Sequence, residues 1–462
     1  VPLGVPVEMG VAFTVTPTGV IRGQVMTLTL SVTNTTGAQV DGLAPTMVVG
    51  EGASLVTMVS GPVPASVAVL GAGDFATFTW TYVAAGQGTV RFGVHADGTG
   101  NASGLQVAAT TGRTVTIDRT ITTVAGTGGA GYNGEGAAAT SKQLNAPFGV
   151  FADSSGTIYI ADTSNHRIRK INGATGVISL VAGTGVAGYN ADGIAATSAL
   201  LNAPNMVVVD GSGNVYVADT NNHRVRKIDA ASGLISTLAG TGTAGDSGDG
   251  MQATAAILEN PVGLALDGAG NLYIADKLNH RIRMVNAVSG LISAVAGTGT
   301  AGYNGEGAPL ARQLSSPMGL ALNAAGDLFI ADNGNHRVRM LSGGSLSTVA
   351  GTGTAGYNGS GMTGGATMLN SPVAVALDAG GDLYIGESTG QRARMLATVA
   401  GGSITSLSVL TTVAGTGVAG YNDDGIAAPS AILSDPAGVA VDAAGILYIA
   451  DQSNNRIRKV AP

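Results

Sequence analysis

An internal repeat constrains this chain more than any other feature. Six segments share a proline, a short apolar run, an Asp/Asn-x-x-Gly turn, a run such as LYIAD and a run such as RIRKV, and they recur about every 57 residues. The shared prolines are Pro147, Pro204, Pro261, Pro317, Pro372 and Pro436. Repeats of this length, with short β-type runs between turn residues, are typical of radially repeated four-stranded sheets. The sequence therefore predicts an all-β fold with a six-bladed β-propeller.

Each repeat can be assigned strand by strand. The first run, for example Gly263–Leu266, is apolar on both faces and predicts the innermost strand. The LYIAD and RIRKV runs predict the second and third strands, and runs such as ISTVAGTG predict the fourth. A further run of the fourth type, ITTVAGTG at Ile121–Gly128, precedes the first repeat, and the sixth repeat stops after its third strand. We expect this N-terminal strand to complete the last blade and to cover its edge.

The pattern changes before Asp118, where longer runs alternate strictly between apolar and polar residues. The alternating apolar residues include Met26, Leu28, Leu30, Val32, Phe78, Trp80, Tyr82, Val90, Phe92 and Val94. This alternation predicts an antiparallel β-sandwich with Trp80 in its core. We therefore expect a sandwich domain over residues 1–118 and a propeller domain over residues 119–462.

The apolar start of the chain, Val1–Gly10, has two interpretations. It could form the first strand of its own sandwich, or it could add to the sheet edge of a neighbouring copy and so polymerise the protein.

Both regions resemble known families. The pattern AGTGxAGYNGxG…PxGVAVDxxGNLYIADxxNHRIRKV resembles bacterial NHL-repeat proteins over about Arg119–Pro462. The run LSVTNTTG from Leu30 is similar to the Ig-like repeats of bacterial surface proteins. The resemblance implies an NHL-type propeller behind an Ig-like spacer. It also implies functions that range from adhesion and protein-interaction scaffolds to RNA-binding modules and an amidating lyase.

Composition excludes several classes of function. The chain has no cysteine, so disulfides, thiolate metal sites and thiol catalysis are impossible. The net charge of −7 argues against a nucleic-acid partner. No apolar run is long enough to predict a membrane span, and no signal peptide is visible, so we expect an exported protein whose signal peptide is not in this chain.

The histidines and arginines follow the repeat. Four of the five histidines occupy one repeat position, which carries Gln391 and Asn455 in the last two repeats. These histidines are His166, His223, His280 and His336. Interchange with Gln and Asn indicates a hydrogen bond at a tight turn rather than catalysis or metal binding. The paired arginines of the third strands should form local ion pairs with the acids of the IAD runs.

The Gly-rich crossings between repeats are candidate ligand sites. Their oxygen-rich residues could hold Ca²⁺, above all Asn422, Asp423 and Asp424, although their recurrence also fits a structural turn. Five crossings carry a tyrosine, and these could stack on a sugar or anchor each loop on its blade. They are Tyr132, Tyr189, Tyr303, Tyr357 and Tyr421.

The fifth repeat departs from the others. It has Gly386-Glu387 in place of Ala-Asp and Gln391 in place of His, and the stretch Ala397–Leu410 adds length before the next crossing. Departures from an internal repeat mark positions where an interaction or assembly surface can be inserted, although neutral drift in a loop would look the same.

These observations predict a non-enzymatic interaction scaffold, extracellular or at a bacterial cell surface, whose rigid propeller binds a protein or a glycan. One alternative is a self-assembling filament or sheath subunit that polymerises through N-terminal strand addition. The other is a metal-dependent propeller lyase or lactonase. We expect no cofactor other than possible Ca²⁺.

Overall fold

A computed structural model describes residues 9–16, 19–21, 24–35, 39–50, 52–85, 88–100, 105–399 and 402–461. The Val1–Gly10 segment, with its two interpretations, lies almost entirely outside these residues. The chain divides into an N-terminal unit, which comprises the residues up to Thr120 together with Gly425–Ala428, and a C-terminal unit of residues 121–424 and 429–461.

The N-terminal unit contains two sheets. The four-stranded sheet has the order Gly10–Thr16, Val25–Thr33, Phe75–Ala84, Val56–Val63. The five-stranded sheet has the order Gly19–Ile21, Leu105–Asp118, Gly88–Gly100, Val40–Val49, Val67–Leu70. A single-turn 3-10 helix covers Ala53–Leu55.

One hydrophobic core is shared by residues of these two sheets. The alternation seen in the sequence sets which side chains enter it, because successive residues of a strand face opposite sides. Met26, Leu28, Leu30 and Val32 are all buried, and Trp80 is 1% exposed. The predicted inward-facing residues of the N-terminal unit are therefore confirmed.

The C-terminal unit contains six propeller-like sheets. We number them 1 to 6 by repeat and letter their strands a to d from the innermost outward. The a strands are Val150–Ala152, Pro204–Val209, Pro261–Leu266, Pro317–Leu322, Pro372–Leu377 and Pro436–Val441. The b strands are Ile158–Asp162, Val215–Asp219, Leu272–Asp276, Leu328–Asp332, Leu383–Glu387 and Leu447–Asp451. The c strands are Arg167–Ile171, Arg224–Ile228, Arg281–Val285, Arg337–Ser342, Arg392–Leu396 and Arg456–Ala461.

The d strands of sheets 1 to 5 are Ile178–Ala182, Leu234–Ala239, Ile292–Ala296, Ser345–Ala350 and Val409–Ala414. Sheet 6 takes its d strand, Thr120–Ala125, from before the first repeat, where it follows the Arg456–Ala461 strand in the sheet order. The prediction that this N-terminal strand completes the last sheet is confirmed.

Short elements occupy the connections. The two-residue strands are Ile194–Ala195, Met362–Thr363 and Ile426–Ala427. Single-turn 3-10 helices join strands b and c at Thr163–Asn165, Thr220–Asn222, Lys277–Asn279, Asn333–Asn335 and Gln452–Asn454. Others lie in the crossings at Ala139–Ser141, Ala196–Ser198, Ala253–Ala255, Pro309–Ala311, Gly364–Ala366 and Ala428–Ser430. Within the described residues, no helix has the length and apolar character needed to cross a membrane.

The a strands form the centre of the C-terminal unit. Each a strand contacts the a strand of the next sheet, and that of sheet 6 contacts that of sheet 1. Glycine allows this close approach at several points: a Cβ added at Gly263 would overlap the carbonyl oxygen of Met318, and one added at Gly438 would overlap that of Phe148. The a strands are largely buried between neighbouring sheets, which explains why their sequences are apolar apart from Asn205.

Candidate functional site

A fully buried arginine lies at the third position of every c strand. Each is paired with a buried acid at the end of the neighbouring b strand. The pairs are Arg169–Asp162 (3.2 Å), Arg226–Asp219 (3.5 Å), Arg283–Asp276 (3.6 Å), Arg339–Asp332 (3.6 Å), Arg394–Glu387 (3.5 Å) and Arg458–Asp451 (3.4 Å). The local ion pairs with the IAD acids that the sequence predicts are therefore present for one arginine of each third strand and not for the other, and these six buried arginines are not available to a ligand.

In five sheets the buried arginine also contacts an acid of the Gly-rich crossing. These contacts join Arg169 to Glu135 (3.0 Å), Arg226 to Asp192 (2.8 Å), Arg283 to Asp249 (2.8 Å), Arg339 to Glu306 (3.3 Å) and Arg458 to Asp424 (2.9 Å). Burial is the largest cause of the pKa shifts of these b-strand acids, and it raises the pKa of Asp219, Asp276 and Asp332 to about 6. The network therefore ties each crossing to its own sheet.

The first residue of each c strand is also an arginine, and it has a different role. Its guanidinium stacks on the tyrosine of the crossing in five sheets. The distances from guanidinium carbon to ring centre are 3.8 Å for Arg167 and Tyr132, 4.0 Å for Arg224 and Tyr189, 3.9 Å for Arg337 and Tyr303, 3.8 Å for Arg392 and Tyr357, and 3.9 Å for Arg456 and Tyr421. In sheet 3 an aspartate replaces the tyrosine, and Asp246 forms an ion pair with Arg281 at 3.0 Å.

The five tyrosines thus lie in the crossings of five different repeats, and each stacks on the arginine of its own sheet. This arrangement favours the anchoring interpretation over a single sugar-binding platform, because the rings do not converge on one point. Four of them nevertheless keep about two fifths of their surface exposed, and a role in ligand contact stays a prediction.

The histidine position joins neighbouring sheets. Its side chain accepts a hydrogen bond from the backbone N–H that precedes strand a of the next sheet, and we call each such bond a ring latch. The latches are His166 Nδ1 with Ala203 (3.1 Å), His223 Nδ1 with Asn260 (3.2 Å), His280 Nδ1 with Ser316 (3.1 Å), His336 Nδ1 with Ser371 (3.2 Å), Gln391 Oε1 with Asp435 (2.7 Å) and Asn455 Oδ1 with Ala146 (2.9 Å). The predicted hydrogen-bonding role is confirmed, and the Asn455 latch joins sheet 6 to sheet 1.

The histidine latches predict a pH effect. Burial is the main cause that lowers the pKa of His166, His280 and His336, and a doubly protonated imidazole has no acceptor for the latch. As the pH falls below about 6.5, the unfolded chain therefore binds more protons than the folded chain does. The folded state loses stability in that range. We expect the thermal midpoint to fall more steeply between pH 7.5 and 5 in the native chain than in a variant with all four latch histidines replaced by Gln.

Gln is the matched control because the chain itself uses Gln391 as a latch. Both proteins keep the same buried carboxylates, so the contribution of those groups cancels in the comparison. Parallel midpoint curves, measured by circular dichroism, would contradict a role for latch protonation.

The candidate Ca²⁺ residues are engaged by protein groups. The Asn422 amide donates to the Ser430 carbonyl at 2.9 Å and accepts from the Ile432 N–H at 2.7 Å. The carbonyl of Asp423 and the carboxylate of Asp424 both accept from Arg458, at 3.0 and 2.9 Å. A cation bound by Asp424 would have to compete with this guanidinium. Ca²⁺ binding stays a prediction, and the geometry supports the structural interpretation of the turn.

The fifth repeat places two of its three candidate interaction residues in the interior. Gly386 is buried, and Glu387 is 1% exposed. Neither can contact a partner at the surface of this fold, so our assignment of them to an interaction surface is corrected. Gln391 forms its ring latch with Asp435.

The Glu387 departure is one half of a paired substitution, and the other half is Gly390. Glu387 Oε2 accepts from the Asn370 N–H at 2.7 Å, the role that Asp162 fills toward Asn145 in sheet 1. Gly390 stands where the other five repeats have Asn. The longer Glu387 side chain occupies the space of that Asn, because a Cβ at Gly390 would lie 2.8 Å from the Glu387 Cβ. Burial raises the pKa of Glu387 to about 7. The sequence signal was that Glu387 and Gly390 depart together from the Asp and Asn of the other repeats.

The sequence also did not reveal the cavities of the C-terminal unit. A central well of about 300 Å³ is lined by residues of all six a strands near their a–b turns. At its other end, Val262, Met318 and Val373 form an apolar cluster with Phe148 packed against it. A groove of about 840 Å³ runs between sheets 4 and 5 and includes residues of the inserted stretch.

Comparisons with known proteins agree with this architecture. The NHL repeat family matches residues 144–171, 201–228 and 314–340, and the teneurin NHL domain matches residues 358–461. The chain contains NHL repeats and has a propeller-like fold. A protein of unknown function from Bacteroides thetaiotaomicron has a similar crystal structure, with a TM-score of 0.56 and 17% identity over 100% of this chain and 98% of that one. This similarity shows the fold alone.

Curated relatives share only part of their length with this chain. Protein SUPPRESSOR OF QUENCHING 1 of Arabidopsis thaliana is 28% identical over 49% of this chain and 22% of its own length. NHL repeat-containing protein 2 of Bos taurus is 27% identical over 56% of this chain and 39% of its own length. Mouse teneurin-4 is 31% identical over 54% of this chain and 10% of its own length. The chain therefore spans well under half of each of these relatives, and bacterial origin stays a prediction.

Proposed function

We propose that this chain is a non-enzymatic interaction scaffold, displayed outside the cell or on its surface, whose six-bladed propeller binds a partner protein. In this proposal the N-terminal unit is an Ig-like spacer. The observation that carries the proposal is that the polar residues shared by the repeats have structural roles. Within the described residues, the latch histidines and the buried arginines and acids hold the sheets together.

A catalytic site finds no support in the same residues. Among the described part of the chain, no three His, Asp or Glu side chains are grouped so that they could hold a metal ion. The central well, where ligands from different sheets could converge, is lined by Val, Leu, Ala, Met and Phe. A metal-dependent lyase or lactonase therefore has no candidate ligand set here.

The test is affinity capture with the intact chain, followed by measurement of binding with the purified partner. We expect saturable binding of one protein that the urea-unfolded chain does not retain. Turnover of lactone or other ester substrates by the purified chain, abolished by EDTA, would overturn the proposal.

One observation favours a second candidate, a self-assembling subunit. Strand Val56–Val63 lies at an edge of its sheet, and its Met58, Val59 and Val63 are each more than half exposed. An apolar sheet edge is a template for strand addition. Light scattering and negative-stain microscopy, with and without EDTA, would show regular polymers if the chain assembles in this way, and EDTA-sensitive polymers would place Ca²⁺ in the contact. A monomer indifferent to EDTA would remove this candidate.

A further inference from the structure

The central well and the groove form one continuous depression. Both are lined by Leu322, Leu377 and Val441, the last a-strand residues of sheets 4, 5 and 6. The well opens on the side of the a–b turns, and the Phe148 cluster fills the opposite end. The depression is therefore an apolar pit that continues outward as an elongated channel.

The inserted stretch of the fifth repeat builds one wall of the groove. Ser403, Ile404 and Thr405 line it together with Phe329 and Met340 of sheet 4, and Ile404 packs in one apolar cluster with Phe329 and Met340. Ile404 is itself anchored in the core at 4% exposure, and the Thr405 N–H donates to Ser408 Oγ at 3.1 Å. The groove is thus particular to the repeat whose sequence departs from the others.

Carboxylates line this depression without a cation beside them. Asp327, Asp378 and Asp442 border the groove. Asp378 Oδ1 accepts from the Gly380 and Asp382 N–H groups at 2.9 and 3.0 Å, so its position is set by its own turn. Within the described residues, none of the three border carboxylates forms an ion pair with Lys or Arg.

One repeat position differs in charge between the sheets. The residue after the buried arginine is Lys in sheets 1, 2 and 6 and Met in sheets 3, 4 and 5, as Lys170, Lys227, Lys459, Met284, Met340 and Met395. The pocket between sheets 6 and 1 is lined by Lys459, at the position that Met340 holds in the groove. The groove therefore combines acidic rims with an apolar side chain where half of the sheets supply a positive charge.

We propose that the well and groove bind an extended segment of the partner protein that carries Lys or Arg beside a large apolar side chain. The apolar side chain enters the well or packs on Met340 and Leu377, which are only partly buried. The cation pairs with Asp378 or Asp442. This inference rests on the proposed scaffold function and names the surface and the chemistry of the partner.

The test is selection of ten-residue peptides from a random displayed library on the intact chain, followed by fluorescence anisotropy with the enriched peptides. We expect peptides with a net positive charge and at least one large apolar residue. Binding should weaken at least tenfold in Met340→Lys and in Asp378→Asn. Both variants reproduce residues that the chain already uses at these repeat positions, Lys459 and Asn323, so the fold should be retained.

Met284→Lys is the matched control, since it adds the same charge in sheet 3, outside the groove, and it should bind within about twofold of the native chain. Neutral or acidic enriched peptides, an absence of enrichment, or unchanged affinity in both groove variants would overturn the inference. If the captured partner is still retained by both groove variants, the scaffold function stands and this surface is not its site. If no partner is captured by the native chain, the scaffold proposal itself fails.

Discussion

Replacing Arg226 by alanine is expected to destabilise the C-terminal unit by about 3–5 kcal/mol, because it leaves the buried Asp219 without its counter-charge. The guanidinium lies 3.5 Å from Asp219 and 2.8 Å from Asp192, and its side chain is fully buried. Arg224, two residues earlier on the same strand, is only partly buried and stacks on Tyr189. Its replacement by alanine should cost only about 1 kcal/mol.

The comparison separates buried charge pairing from general loss of an arginine. Denaturant unfolding should be followed by tyrosine fluorescence or circular dichroism, because the single tryptophan, Trp80, reports on the N-terminal unit. The double variant Asp219→Asn with Arg226→Met should recover part of the loss, since it removes both buried charges. Equal losses for Arg224→Ala and Arg226→Ala would contradict the network as described.

Replacing Gly263 by valine is expected to cost about 3 kcal/mol or more, at or above the upper end of the range for overpacked cores. A Cβ at this position meets the backbone carbonyl of Met318 in the next sheet, and a backbone atom cannot move aside as a flexible side chain can. The change should therefore push sheets 3 and 4 apart at the centre of the unit. Thermal unfolding by circular dichroism measures the effect.

Sheet 5 supplies the control for this prediction. It carries Ala374 where sheets 3 and 4 have Gly263 and Gly319, so the centre accepts a methyl group at that point. Ala374→Gly should cost no more than about 1 kcal/mol, through added backbone freedom in a strand. If the Gly263→Val variant unfolds at the same thermal midpoint as the native chain, the a strands are not closely packed at this point.

The ring latches illustrate how much the repeat reveals. Interchange of His, Gln and Asn at one position indicated a hydrogen-bonding role at a tight turn, since these residues share little else. The donor could not be predicted, because the Ala203 N–H that meets His166 belongs to the next repeat. The same applies to Asp424, whose oxygen-rich neighbourhood suggested a metal while its partner, Arg458, lies 34 residues away.

The all-β class, the six repeats, the strands within each repeat and the N-terminal strand that completes sheet 6 could all be predicted from the repeat pattern. Periodicity carries that information, because a residue copied six times must satisfy the same local contact each time. The folded chain was needed to show that Gly386 and Glu387 are interior, that Arg458 binds Asp424, and that a groove bordered by carboxylates lies between sheets 4 and 5. These features depend on which side chains neighbouring sheets bring together, and no spacing along the chain specifies that.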